Sequence, residues 1–486
     1  MSIRKWTAMA AALCLALAML SGCGSGTDYG LDAKNPTAIT IWHYYNGVQQ
    51  ATFDSLLVEF NETVGREKGI VAEGRNKKSI NDLAEAALAS LRNDDGAELA
   101  PDMFAAYAET AYIADRMEAV VDLSKYFTEK ELEEYITGYL EEGSLDDHGG
   151  LKIFPTAKST EIMMLNLTDW TPFAEATGAT TDDMATWEGL ARTAEKYYEY
   201  TDALTPDVAN DGRALFGRDS MANYMIIGAR QLGLEFFSIE DGQAVMNEDK
   251  DAIRRLWDNY YVPFVKGYYA ASARFRSDDM LLREIIAMVC SSTGATYFPA
   301  SVSVNDEYSY PIEGMVLPVP NFEGADPYVV QQGAGMVVVK SEEKKEYACS
   351  LFLKWFTDKE RNIAFSAKSG YLPVKKEAND YEVIAASYLE SGDLTNNVML
   401  GSIEVAVSEI NNSTSYAAKP FANSANARAF LDTYIQNAAQ TAHGEALARI
   451  EAGEDRETVM AEYTSDAAFE TWYDGFVAGL KVAAGF

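Results

Sequence analysis

Short apolar runs of strand length alternate with amphipathic stretches of helical spacing, and this alternation restricts the chain to a layered α/β fold more tightly than any other feature. Residues 38–45 (AITIWHYY) form an apolar and aromatic run, and residues 50–63 follow with Phe53, Leu56, Leu57 and Phe60 on one helical face. Residues 79–92 open on Ser79 with Asp82 three positions on, which predicts a capped helix start with an acidic first turn. PDMFAAY (101–107) reads as a short strand entered through Pro101. Further on, helical patterns cover 128–142, 186–200 and 248–261, and 284–290 reads as a buried strand running into the Ser/Thr/Gly loop 291–298. Residues 310–339 read as strand, Pro-rich loop and strand, 346–356 as an amphipathic helix, and the chain from 403 as mostly helical. Residues 150–166 (GLKIFPTAKSTEIMMLN) differ, since an extended Pro-punctuated run leads into the polar Lys158-Ser159-Thr160-Glu161 and then a second apolar run.

At 486 residues the chain exceeds one ordinary domain, and 48% apolar against 23% charged residues gives ample core and excludes disorder. The formal charge of −34 removes any general attraction to nucleic acid. Three histidines, His43, His148 and His443, leave almost no material for a multi-histidine metal site or for His-based catalysis. Asp207, Asp211 and Gly212 lack the EF-hand spacing and read as a surface turn. No cofactor and no metal are expected. The 28 tyrosines are the unusual positive number. A flat apolar face carrying a hydroxyl suits ligands with polar rims and apolar ring faces.

Residues 1–23 combine a basic start (Arg4, Lys5), an apolar stretch over 8–20 too short to span a bilayer, and the ending Leu20-Ser21-Gly22-Cys23. This ending resembles a bacterial lipobox. It implies a signal peptide over 1–22, lipidation of Cys23, a flexible tether over 23–36, and work at the outer face of the cytoplasmic membrane, with the lipid as the only membrane contact. Cys290 and Cys349 then remain, both in apolar contexts. Spacing alone does not pair them, and two buried thiols are the expectation.

The order of motifs along the chain resembles the extracellular solute-binding proteins of ABC importers, family 1, whose relatives bind maltose and other sugars. The most specific block is 333–376, with the Gly-rich strand GAGMVVVKS, the helix YACSLFLKWFTDKERNIAF and the turn SGYLPVKK in that order. IWHYYNG, PDMF, FPTAKSTEIMMLN, TWEGL and LFGRDS (215–220) support it. The resemblance implies a two-lobed periplasmic-binding-protein-like fold with crossover hinge strands and an interlobe ligand cleft. Placed on this chain, lobe 1 is 37–152 plus 295–355 and lobe 2 is 158–290 plus 356–486, with hinges near 153–161, 288–297 and 355–359. It also implies a monomer that hands a small molecule, expected to be a carbohydrate, to permease subunits, with no nucleic acid and no catalysis. A non-sugar ligand is the alternative. A secreted glycosidase using two carboxylates, or a surface adhesin or sensor, are the competing classes.

A sugar ring needs aromatic planes for its C–H faces and polar side chains in the ring plane, because each buried hydroxyl must be paired. On the resemblance, Tyr44, Tyr45 and Asn46 follow the first strand as ligand contacts, while Trp42 inside it reads as core. Tyr107, Glu109 and Thr110 follow PDMF. Lys158 and Ser159 lie at the first crossover, with a Lys158–Glu161 hinge bridge as the competing reading. Asn223 and Tyr224 follow LFGRDS. Thr296 and Tyr297 follow the second crossover, where sugar-binding relatives often carry Trp. Gln332, beside Gln331, precedes the Gly-rich strand, and Tyr416 and Phe421 belong to the far wall.

Overall fold

A computed structural model of the chain describes residues 29–145, 150–240, 243–390, 392 and 398–486. The expected signal peptide, Cys23, the start of the expected tether and His148 lie outside the described residues.

The first lobe is built on a sheet of order β13-β3-β1-β2, formed by β1 (Thr37–His43), β2 (Ile70–Asn76), β3 (Met103–Ala106) and β13 (Gly335–Val338). β2 and β3 run parallel to β1, and β13 closes the edge antiparallel to β3 with Gly335 opposite Ala106. The helix Gly47–Glu62 buries the stripe its spacing predicts, Phe53, Leu56, Leu57 and Phe60. Ser79 caps the helix Ile80–Arg92 by accepting from the Asp82 amide. Trp42 is wholly buried in this core. The acidic stretch 128–142 is two short helices, Glu129–Leu132 and Thr137–Glu141, rather than one.

The second lobe is built on a sheet of order β11-β4-β8-β5, formed by β4 (Glu161–Asn166), β5 (Phe216–Arg218), β8 (Ala287–Ser291) and β11 (Gly314–Leu317). Successive side chains alternate between faces. Met163 and Leu165 of β4 and Ala287 and Val289 of β8 enter one core, while Ile162, Met164, Met288 and Cys290 enter another. Both faces are covered, so these strands read as unbroken apolar runs. The long helix Ser424–Glu451 buries Leu431, Ile435 and Ala439 against the first of these cores. Two hairpins, β6 (Phe237–Glu240) with β7 (Gln243–Met246) and β9 (Ser301–Asn305) with β10 (Tyr308–Pro311), and the parallel pair β12 (Tyr328–Val330) and β14 (Thr414–Tyr416), complete the strands. Among the described residues no helix is long and apolar enough to cross a membrane.

Two boundaries expected from the sequence are corrected. The stretch 295–355 does not belong wholly to the first lobe, because β11 pairs with β4 and only β13 returns to β3. Nor does the chain leave the first lobe at 355–359. Phe365, Tyr371 and Val374 pack in the first-lobe core, and Asn362 donates to Thr156 O and accepts from Val374 N. Three backbone bridges tie the segments where the lobes meet: Phe154 with Met336, Ser159 with Gln332 and Lys158 with Leu372. Cys290 and Cys349 are free and buried, one in each lobe.

Candidate functional site

In α/β sheets, ligands bind beyond the carboxyl ends of parallel strands, where loops are free to carry polar side chains. Here β3 ends at Ala106, directly before Tyr107, and β5 ends at Arg218. A cavity of about 60 Å³ lies between the lobes, walled by Tyr107 and Glu109 from the first lobe and by Asn223, Ile227 and Arg428 from the second. Gln331 and Gln332, on the segment linking the two sheets, also line it. Tyr107 keeps 36% of its surface exposed. Gln332 lines this cavity, and its amide oxygen is buried with no hydrogen-bond partner among the described residues. An adjoining cavity of about 40 Å³ shares Glu109, Tyr416 and Arg428 and adds Phe421. Its polar wall is fixed. The Tyr416 hydroxyl donates to Glu235 Oε1 at 2.7 Å, and the Arg230 guanidinium stands 4.9 Å from the Tyr416 ring centre.

A buried chain of charged hydrogen bonds holds the second-lobe wall. Arg218, 1% exposed, donates through one nitrogen to both oxygens of Glu161 at 2.9 Å. Asn223 Nδ2 donates to Glu161 Oε1 at 3.0 Å, and Asn223 Oδ1 accepts from Arg428 at 2.8 Å. The orientation of the Asn223 amide is thus set from both ends, and Arg428 is aimed by it. Leaving either Arg218 or Glu161 unpaired would strand a charge away from water, so the set holds only as a unit.

Lys158 is not a free cation. Its ammonium, 1% exposed, donates to Glu142 Oε2 at 2.6 Å and to Gly333 O at 2.8 Å. Its partner is therefore Glu142 and not Glu161, which corrects the competing reading of a Lys158–Glu161 hinge bridge. Gln331 Nε2 donates to the same Glu142 oxygen. Ser159 is buried beside it, with its Oγ 3.3 Å from Ser291 Oγ.

The remaining candidates divide. Tyr44 shares a 3.0 Å hydrogen bond with the Tyr371 hydroxyl, and burial raises both phenols above their ordinary range. Tyr45 is corrected to a core residue, 2% exposed and packed among His43, Phe53 and Phe365. Tyr224 is likewise core. It is 1% exposed, edge-on to Trp187, and its hydroxyl donates to Leu256 O. Asn46 is exposed and bonds the carbonyls of Tyr44 and Lys78. Thr110 is half-buried outside both cavities. Thr296 donates within its own turn to Thr293 O. Tyr297, 59% exposed, lines a separate cavity of about 570 Å³ with Asp219, Phe275 and Ser291. The structure thus brings together Tyr107, Glu109, Asn223, Gln332, Tyr416 and Phe421, and leaves Tyr297 apart. Sequence reasoning passed over Arg428 and Glu142. Arg428 sits five residues into the long helix in NSANARAF, where its only signal is a lone cation just after the aromatic stretch ending at Phe421.

The chain belongs to the bacterial extracellular solute-binding proteins, whose family model matches residues 56–390. Among solved structures it is similar to the cyclic α-maltosyl-1,6-maltose binding protein of Arthrobacter globiformis, with a TM-score of 0.62 at 18% identity, covering 92% of this chain and 100% of that one. UgpB of Mycobacterium tuberculosis, solved with glycerophosphocholine, gives 0.62 at 17% identity over 86% and 98% of the two chains. The maltose/maltodextrin-binding domain MalE of Bdellovibrio bacteriovorus, bound to maltotriose, gives 0.59 at 13% identity over 92% and 99%. At these identities the likeness is one of fold, the two-lobed periplasmic-binding-protein fold. No curated protein sequence matches the chain significantly.

Proposed function

We propose that this protein is the solute-binding component of an ABC importer, a monomer held by a lipid on Cys23 at the outer face of the cytoplasmic membrane. It captures a sugar or oligosaccharide between its lobes and delivers it to the permease. The observation that carries this reading is a cavity walled by both lobes and lined by Gln332, whose buried amide oxygen has no hydrogen-bond partner among the described residues. A buried acceptor without a donor is costly, and a ligand hydroxyl is the donor it lacks. The exposed Tyr107 ring beside it offers a face for a sugar's C–H surface. Two of the structurally similar proteins are described with maltose-type sugars, which supports the same class here. Glycoside hydrolysis would need two carboxyls free to work as acid and base or nucleophile. Of the two glutamates lining the cavity, Glu142 is committed to Lys158 and Gln331.

A thermal-shift screen of the purified protein against neutral mono- and oligosaccharides tests this. A ligand at one hundred times its dissociation constant should stabilise the fold by about 2.7 kcal/mol. Release of shorter sugars during the incubation would replace the binding reading with the enzymatic one.

A further inference from the structure

A cavity of about 590 Å³ lies on the second lobe, and no residue of the first lobe enters its wall. Four cations line it, Arg213, Lys266, Arg283 and Arg456, against one acid, Glu284. The chain as a whole carries 40 Lys and Arg against 74 Asp and Glu, so this wall inverts the charge balance of the molecule. Arg283 lies 3.4 Å from Asp169, but Arg213, Lys266 and Arg456 have no carboxylate within ion-pair distance among the described residues. In a chain with such an excess of acids, three unpaired cations around one concavity are a concentration of positive potential that low-dielectric walls focus further.

Two of the cations, Arg456 and Arg283, are held in place. Arg456 donates to Lys266 O at 2.7 Å and its guanidinium stands 4.8 Å from the Tyr198 ring centre. Arg283 occupies the left-handed region at φ 64°, just past Leu282, the C-cap of the helix Arg276–Leu281. Glycine is the usual residue at such a position, since a side chain there is strained. An arginine held there despite that strain directs attention to its side chain. The rest of the wall is mixed, with the rings of Tyr198, Phe264 and Tyr269 beside backbone polar groups.

We propose that this groove is a second binding site, separate from the interlobe cleft, for a small molecule bearing phosphate or carboxylate groups on a compact organic body. Guanidinium forks pair such oxyanions through charge-assisted hydrogen bonds, and the rings accommodate the body. The site is independent of the carbohydrate reading, since the two cavities share no residue.

The test is isothermal titration of the purified protein with sodium phosphate and with sodium citrate, set against sodium chloride at equal ionic strength. Saturable one-site binding of the multivalent anions is expected, weakened at least about tenfold in the Arg213→Gln/Arg456→Gln variant. Should that variant unfold, Arg213→Gln/Lys266→Gln, which leaves the Arg456 contacts intact, is expected to weaken binding in the same way. Arg428→Gln, in the cleft, is expected to leave anion affinity unchanged. A response no greater than that to chloride would overturn the proposal, as would anion binding that survives in the folded double variant or is lost in Arg428→Gln.

Discussion

Glu161 begins β4 with Arg218 and Asn223 both donating to it, and Asn223 in turn orients Arg428 at the cavity. Glu161→Gln removes the carboxylate charge that is hydrogen-bonded to the buried Arg218 guanidinium. We expect a loss of about 3 kcal/mol or more of stability in chemical denaturation. A loss below about 1 kcal/mol, the scale of an exposed pair, would contradict the account of this network. A second residue sets a pH dependence. Burial raises the Glu409 carboxyl from 4.5 to about 7. A carboxyl whose folded pKa is raised contributes fully below 4.5, and that contribution is lost as pH rises through about 7. Glu409→Gln cannot ionise, so its melting temperature relative to the parent protein should climb between pH 5 and pH 8. A constant difference across that range would exclude the effect. At this scale the sequence was legible where chemistry is local. Trp42 as core and Ser79 as cap both follow from neighbours in the chain. Tyr45 and Tyr224 could not be read, because a tyrosine beside a strand end or in a helix start is core or wall according to one residue of register. Arg428 acquires its role only from Asn223, 205 positions away.

The elements where the lobes meet depend on close backbone approach. Gly333 adopts φ +94°, and a Cβ there would lie 2.6 Å from Ala157 O and 3.0 Å from Lys158 Cα. Gly333→Ala should therefore cost more than ~1 kcal/mol, because both the backbone conformation and the crossover spacing resist it. A melting temperature equal to the parent's would show that the crossover has room the structure denies it. Strands and helices were largely visible in the sequence, since their periodicities are properties of a few consecutive residues. Which strand a segment joins was not visible. Residues 314–317 and 335–338 are both short apolar runs, yet one pairs with β4 and the other with β3. The helix Lys359–Ser369 likewise carries no local mark of the lobe it packs in. Its place is set by Phe365 meeting Tyr45 and by Asn362 bridging Thr156 and Val374.

Across the whole molecule, a solute-binding protein with two lobes joined by crossover segments offers a cavity that neither lobe forms alone. Tyr107 comes from one side, Asn223 and Arg428 from the other, and Gln332 from the connection between them. Hinge closure around a ligand is the physical use of such an arrangement. Charge enters at this scale too. The chain carries a formal charge of −34, while the cavity between the lobes mixes Glu109 and Glu142 with Arg428. That mixture suits a neutral, hydroxyl-rich ligand. The most direct measurement is isothermal titration of the parent protein, Gln332→Ala and Tyr107→Ala with a panel of neutral oligosaccharides. The account predicts one saturable site in the parent protein and no hydrolysis. It also predicts that each variant, still folded, binds at least about 1 kcal/mol more weakly, through a lost hydroxyl acceptor or a lost ring face. Parent-like affinity in both folded variants, or binding of no neutral sugar at all, would contradict it.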